Sequence, residues 1–85
     1  MDNAQEKKQK MVEIYSTPTC TYCEAAKNFF NQNGIAYIDY NVQEDQEKAR
    51  EMVERSGQMG VPVIFIDGEM VIGFDEPRLR ELLGL

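Results

Sequence analysis

The chain has 85 residues, of which 42% are hydrophobic and 28% charged, with a formal charge of −6 and a pI near 4.5. That is enough for one globular domain with a modest core, burying roughly 60–65% of the surface the unfolded chain exposes. Nine basic residues against fifteen acidic ones argue against nucleic-acid binding, and no apolar run approaches the roughly 20 residues of a membrane span.

Residues 1–10 are polar and aperiodic and read as a frayed tail. Their start, Met1-Asp2-Asn3-Ala4-Gln5-Glu6, lacks the basic and apolar regions of a signal peptide, so a cytoplasmic location is expected. Val12, Ile14 and Tyr15 predict a short strand, ended by Ser16-Thr17-Pro18 because Pro18 and the residue before it favour extended backbone. A helix follows from near Cys20, with Ala26, Phe29 and Phe30 on one face and Asn33-Gly34 as its stop. Residues 35–42 alternate and are rich in β-branched and aromatic side chains, which suits a second strand.

Residues 44–55 predict a helix with acidic residues leading and Ala49, Met52 and Val53 as its apolar face. Val61 to Ile66 is almost wholly apolar, as in a strand buried on both sides. Asp67-Gly68 is a two-residue hairpin signal, returning the chain through Met70, Val71 and Ile72. Glu76-Pro77 opens a last helix that buries Leu79, Leu82 and Leu83. The order β-α-β-α-β-β-α predicts an α/β fold: one four-stranded mixed sheet flanked by three helices, the first two strands parallel.

Cysteine usage narrows the chemistry. With no histidine and two cysteines, the chain holds neither a Cys–His nucleophile pair nor a four-coordinate zinc site of its own, and no metal site is expected. In a reducing compartment a lone Cys20-Thr21-Tyr22-Cys23 motif points to redox function rather than to a static staple. At a helix start Cys20 would face unpaired backbone N–H groups and the positive end of the helix dipole, which favour a thiolate. Cys23, three residues on, is drawn under the helix. Cys20 therefore attacks a substrate disulfide, and Cys23 resolves the mixed disulfide that results. Lys27, just over one turn beyond Cys23, reads as a solvated helix residue. Tyr22, Phe74, Met59 and Met70 each read as packing residues before contact residues. Pro62, in Gly60-Val61-Pro62, reads on local grounds as a proline at a strand start; a cis Val61–Pro62 bond would turn the Val61 backbone toward a bound peptide.

The residues Val12-Glu13-Ile14-Tyr15-Ser16, Pro18-Thr19-Cys20-Thr21-Tyr22-Cys23, Ser56-Gly57-Gln58, Val61-Pro62 and Ile64-Phe65-Ile66-Asp67-Gly68 together resemble glutaredoxin. The resemblance runs from Met11 to Leu85, making residues 11–85 a glutaredoxin-like domain. It implies a thioredoxin-like fold, Cys20 as nucleophile, Cys23 as resolving thiol and Pro62 as a cis-proline. It further implies glutathione as cosubstrate, lying along Val61 and against Tyr22, with Gln58 and the Gly73-Phe74-Asp75 segment at the same site. Asp75 would meet the glutathione α-amino group.

Departures from the family pattern are informative. Thr17 and Met59 stand where basic residues are usual, Gly60 replaces a threonine, and Thr21 replaces the motif proline. Gly73-Phe74 also resembles a glutaredoxin-like hydrogen donor of ribonucleotide reductase, fed by thioredoxin reductase. With Thr21 in place of the motif proline, the chain also resembles the variants that share a [2Fe–2S] cluster between two protomers with two glutathiones. The leading expectation is a monomeric dithiol reductase of protein disulfides or glutathione mixed disulfides, with glutathione or a disulfide reductase as its source of electrons. An acidic adaptor with an inherited fold is the plainer alternative.

Overall fold

The computed structural model describes residues 10–85, so the polar tail expected over residues 1–10 lies, save for Lys10, outside the described residues. The elements are β1 (Val12–Ser16), α1 (Thr21–Gln32), β2 (Ile38–Asn41), α2 (Gln46–Ser56), β3 (Val63–Ile66), β4 (Glu69–Ile72) and α3 (Glu76–Leu83). They form one sheet in the order β2-β1-β3-β4, with β1 and β2 parallel and the other pairs antiparallel. The expected order and strand directions are met.

The sheet divides the core in two by the alternation of its side chains. On one face Val12, Ile14, Ile64, Ile66 and Val71 meet Ala26, Phe29 and Phe30 of α1 and Leu79 of α3. On the other, Tyr15, Val63 and Phe65 meet Met52 of α2. Strand β3 is buried throughout, which explains its apolar run. The Tyr15 hydroxyl, inside the second cluster, donates to Glu51 Oε2 at 2.7 Å and accepts from Arg55 Nη1 at 2.7 Å. Burial is the main reason that this phenol is pushed up to about 12. Arg55 also donates to Glu13 Oε1 at 3.0 Å, so α2 is bound to β1 by charge as well as by packing.

Several boundaries differ from expectation, each for a local reason. Residues 35–37 do not join β2: the Ile35 N–H closes α1 on the Phe30 carbonyl at 2.8 Å, and Ile35 and Tyr37 pack on the first cluster. Helix α2 starts at Gln46, not residue 44, because the Asp45 side chain caps it from the Lys48 N–H at 3.1 Å. Strand β3 starts at Val63, since Pro62 has no N–H to offer β1. Val53 is exposed, leaving Met52 as the buried residue of α2.

The turns follow their residue chemistry. Asp67 and Gly68 have φ of 50° and 88°, as a two-residue hairpin with both central residues left-handed requires. Gly57 ends α2 at φ 76° and donates to the Val53 carbonyl at 2.7 Å. A Cβ built there would meet no atom within 4 Å. Gly57→Ala is therefore expected to cost only backbone strain, about 1 kcal/mol, read as a lower urea midpoint at unchanged m-value.

Candidate active site

Strand β1 ends at the buried Ser16, and the Thr17-Pro18-Thr19 turn delivers Cys20 to the N-cap of α1. There the Cys23 N–H donates to Cys20 Sγ at 3.1 Å, and the Cys20 carbonyl accepts from the Glu24 N–H at 3.1 Å. The Cys23 amide, which would otherwise lack a partner at the helix start, thus points at the sulfur of Cys20. Both cysteines are free thiols in different surroundings: Cys20 is half-buried, and Cys23 is 1% exposed. Burial, followed by the hydrogen bond and charge of Cys20, pushes the Cys23 thiol up to about 12, against the opposing pull of the Thr17 backbone and Lys27.

Across from α1 lies the segment that enters β3. The Val61–Pro62 bond is cis, where local reading alone favoured an ordinary strand-start proline. The Cys20 thiol donates weakly to the Val61 carbonyl at 3.8 Å. Pro62 is fully buried, and its carbonyl accepts from the Gly73 N–H at 2.9 Å. So Cys20, Val61, Pro62 and Gly73, spread over 54 positions of sequence, form one continuous contact. Pairing of β1, β3 and β4 brings them together.

The other expected site residues take varied places. Tyr22 is 67% exposed beside Cys20 in sequence, and Met59 is 80% exposed, so neither packs as expected. Phe74 is half-buried and does pack, its ring 5.9 Å from that of Phe29. Asp75 is exposed and caps α3 by accepting from the Arg78 N–H at 3.3 Å. Gln58 folds back on its own loop: its N–H donates to Ser56 Oγ at 3.2 Å and its amide to the Gly60 carbonyl at 3.3 Å. Among the described residues no three His, Cys, Asp or Glu side chains gather where they would hold a metal ion.

Lys27 corrects an expectation. It is not a freely solvated helix residue: its ammonium donates to Asp39 Oδ2 at 2.8 Å and to Ser16 Oγ at 3.4 Å, with a quarter of the side chain exposed. Its i+4 spacing from Cys23 was the available signal. The partners come from two separate strands.

Comparison with known proteins places this geometry. The glutaredoxin family model matches residues 12–71. A glutaredoxin-like 8.6 kDa protein in the rubredoxin operon of Clostridium pasteurianum is 41% identical over 73 residues, covering 86% of this chain and 97% of that one. Glutaredoxin 3 of Escherichia coli K12 is 38% identical over 65 residues, covering 76% of this chain and 78% of its own. The crystal structure of the thioredoxin-like protein BC3987 matches with a TM-score of 0.80 at 32% identity, covering 85% of this chain and 99% of that one. The chain belongs to the glutaredoxin family and is a thiol–disulfide oxidoreductase built on a thioredoxin-like fold.

Proposed function

We propose that the chain reduces glutathione mixed disulfides and protein disulfides by a dithiol route, with glutathione as the cosubstrate that restores it. One observation carries this reading: Cys20 caps the open end of α1, while Cys23, three residues on, is buried behind it. The Cys20 thiolate attacks one sulfur of a substrate disulfide; that bond breaks, and the other sulfur leaves as a thiolate that takes a proton from water. Cys23 then attacks Cys20 Sγ, the mixed disulfide breaks, and the substrate departs reduced. The Cys20–Cys23 disulfide holds the oxidising equivalents until two glutathione thiols become one glutathione disulfide. A cycle of this kind belongs in a reducing compartment such as the cytoplasm.

In this reading glutathione lies extended along Val61 beside Pro62, flanked by Tyr22 and Gln58 on one side and by Gly73, Phe74 and Asp75 on the other. Ionisation of Cys20 removes the S–H that now occupies the Val61 carbonyl at 3.8 Å, which frees that oxygen for the substrate backbone. Thr17 and Met59 bring no positive charge to the glutathione carboxylates, so its binding rests on the backbone and Asp75.

A coupled NADPH assay on a small mixed disulfide tests the proposal, run with glutathione and glutathione reductase and, separately, with thioredoxin reductase. Turnover in the glutathione arm is expected. Turnover confined to the thioredoxin reductase arm would replace glutathione with a flavoprotein donor, and silence in both arms would overturn reductase function.

A further inference from the structure

Lys27 follows Cys23 by four residues on α1, so the two side chains share one side of the helix. Its ammonium is tethered from two strands: to Asp39 Oδ2 of β2 at 2.8 Å and to Ser16 Oγ of β1 at 3.4 Å. Ser16 is itself buried and donates to Asp39 Oδ1 at 2.6 Å, closing a three-residue cluster under α1. Resting on the dithiol reading above, we infer that Lys27 is a positioning residue for the resolving step. Its fixed charge stabilises the sulfur of Cys23 as that sulfur attacks the mixed disulfide.

In that step the Cys23 thiol gives its proton to water and its sulfur bonds to Cys20 Sγ. The Cys20–substrate bond breaks, and the departing thiolate takes up a proton. With Cys20 in a mixed disulfide, its charge no longer opposes ionisation of Cys23. Burial remains, countered by the Thr17 backbone and Lys27. The groups that bear on Lys27 in turn are Asp39 and Tyr37, besides Cys23 itself. From β1 comes the Ser16 hydroxyl, and Val61–Pro62 carries nothing ionisable. Lys27 thus supplies the positive charge and Asp39 tempers it, so removing either should move Cys23 in opposite directions.

Stopped-flow reaction of the reduced full chain with an aromatic disulfide whose thiolate absorbs light resolves both steps, one thiolate per cysteine. Lys27→Gln is expected to slow the second release about tenfold and to move its pH profile up by about one unit, with the first release unchanged. Lys27→Arg should restore both. Asp39→Asn should move the second profile to lower pH, whereas a merely structural cluster would make it mimic Lys27→Gln. Equal slowing of both releases by Lys27→Gln, or an unmoved second profile, would overturn the inference. Absence of any fast first release from the unmutated chain would instead overturn the dithiol reading beneath it.

Discussion

Serine in place of Cys20 is expected to abolish reductase turnover, by about three orders of magnitude or more, because the hydroxyl supplies no thiolate at neutral pH. Cys23→Ser should behave differently. It keeps the attacking sulfur at the N-cap of α1, so reduction of glutathione mixed disulfides survives with a second glutathione doing the work of Cys23. Reduction of protein disulfides by the dithiol route should fail, and a stable Cys20–substrate adduct should appear by mass spectrometry. Alkylation rates give an independent reading, since Cys20 is half-buried and Cys23 only 1% exposed: limiting iodoacetamide should modify Cys20 first. Full protein-disulfide reduction by the Cys20→Ser chain would reverse the assignment of roles.

The largest expected loss of stability is for Phe30→Ala. Phe30 is wholly buried in the first cluster, with ring centroids 5.9 Å from Phe29 and 5.4 Å from Tyr37. Its removal takes away buried apolar area and leaves a cavity that the surrounding sheet and helices fill only in part. A cost of about 3–5 kcal/mol is expected. For a domain this small, with total stability toward the low end of about 5–15 kcal/mol, that is most of the margin. Urea unfolding followed by far-UV circular dichroism measures it, with Phe30→Leu as the milder control. A loss below about 1 kcal/mol would show that α1 does not depend on this contact. Because α1 also carries Cys20 and Cys23, activity should fall along with the folded fraction.

What was legible in the sequence was what neighbouring residues decide among themselves. The start of α3 at Asp75-Glu76-Pro77, the Asp67-Gly68 turn and the apolar run of β3 are each set by a few adjacent side chains. The thiols were legible for the same reason, since a Cys-x-x-Cys after a strand needs only the helix that follows. The rest depended on contacts between distant segments. Ile35 and Tyr37 alternate like strand residues but are claimed by α1 and the core before they reach β2. Lys27 resembles any helix lysine until pairing of β1 with β2 brings Ser16 and Asp39 under it. The cis geometry at Val61–Pro62 has no local signature, and only the resemblance to glutaredoxin implied it. Composition treats an apolar side chain as core, whereas Met59 and Tyr22 are 80% and 67% exposed.

The antiparallel register of β1 with β3, Val12 opposite Ile66 and Tyr15 opposite Val63, gives the molecule two poles. The C-terminal end of β1 leads to Cys20, and the opposite end meets the hairpin. There the Met11 N–H donates to Asp67 Oδ1 at 2.7 Å, and the Asp67 N–H returns to the Met11 carbonyl at 2.8 Å. Glu69, exposed just after the hairpin turn, lies a full strand length from the thiols. A linker or label attached at Glu69 would keep Gly68 in its left-handed turn and leave the clasp and the redox pole untouched. Held on an electrode or bead from that side, the protein would present Cys20 outward to large disulfide substrates, an orientation already built into its strand register.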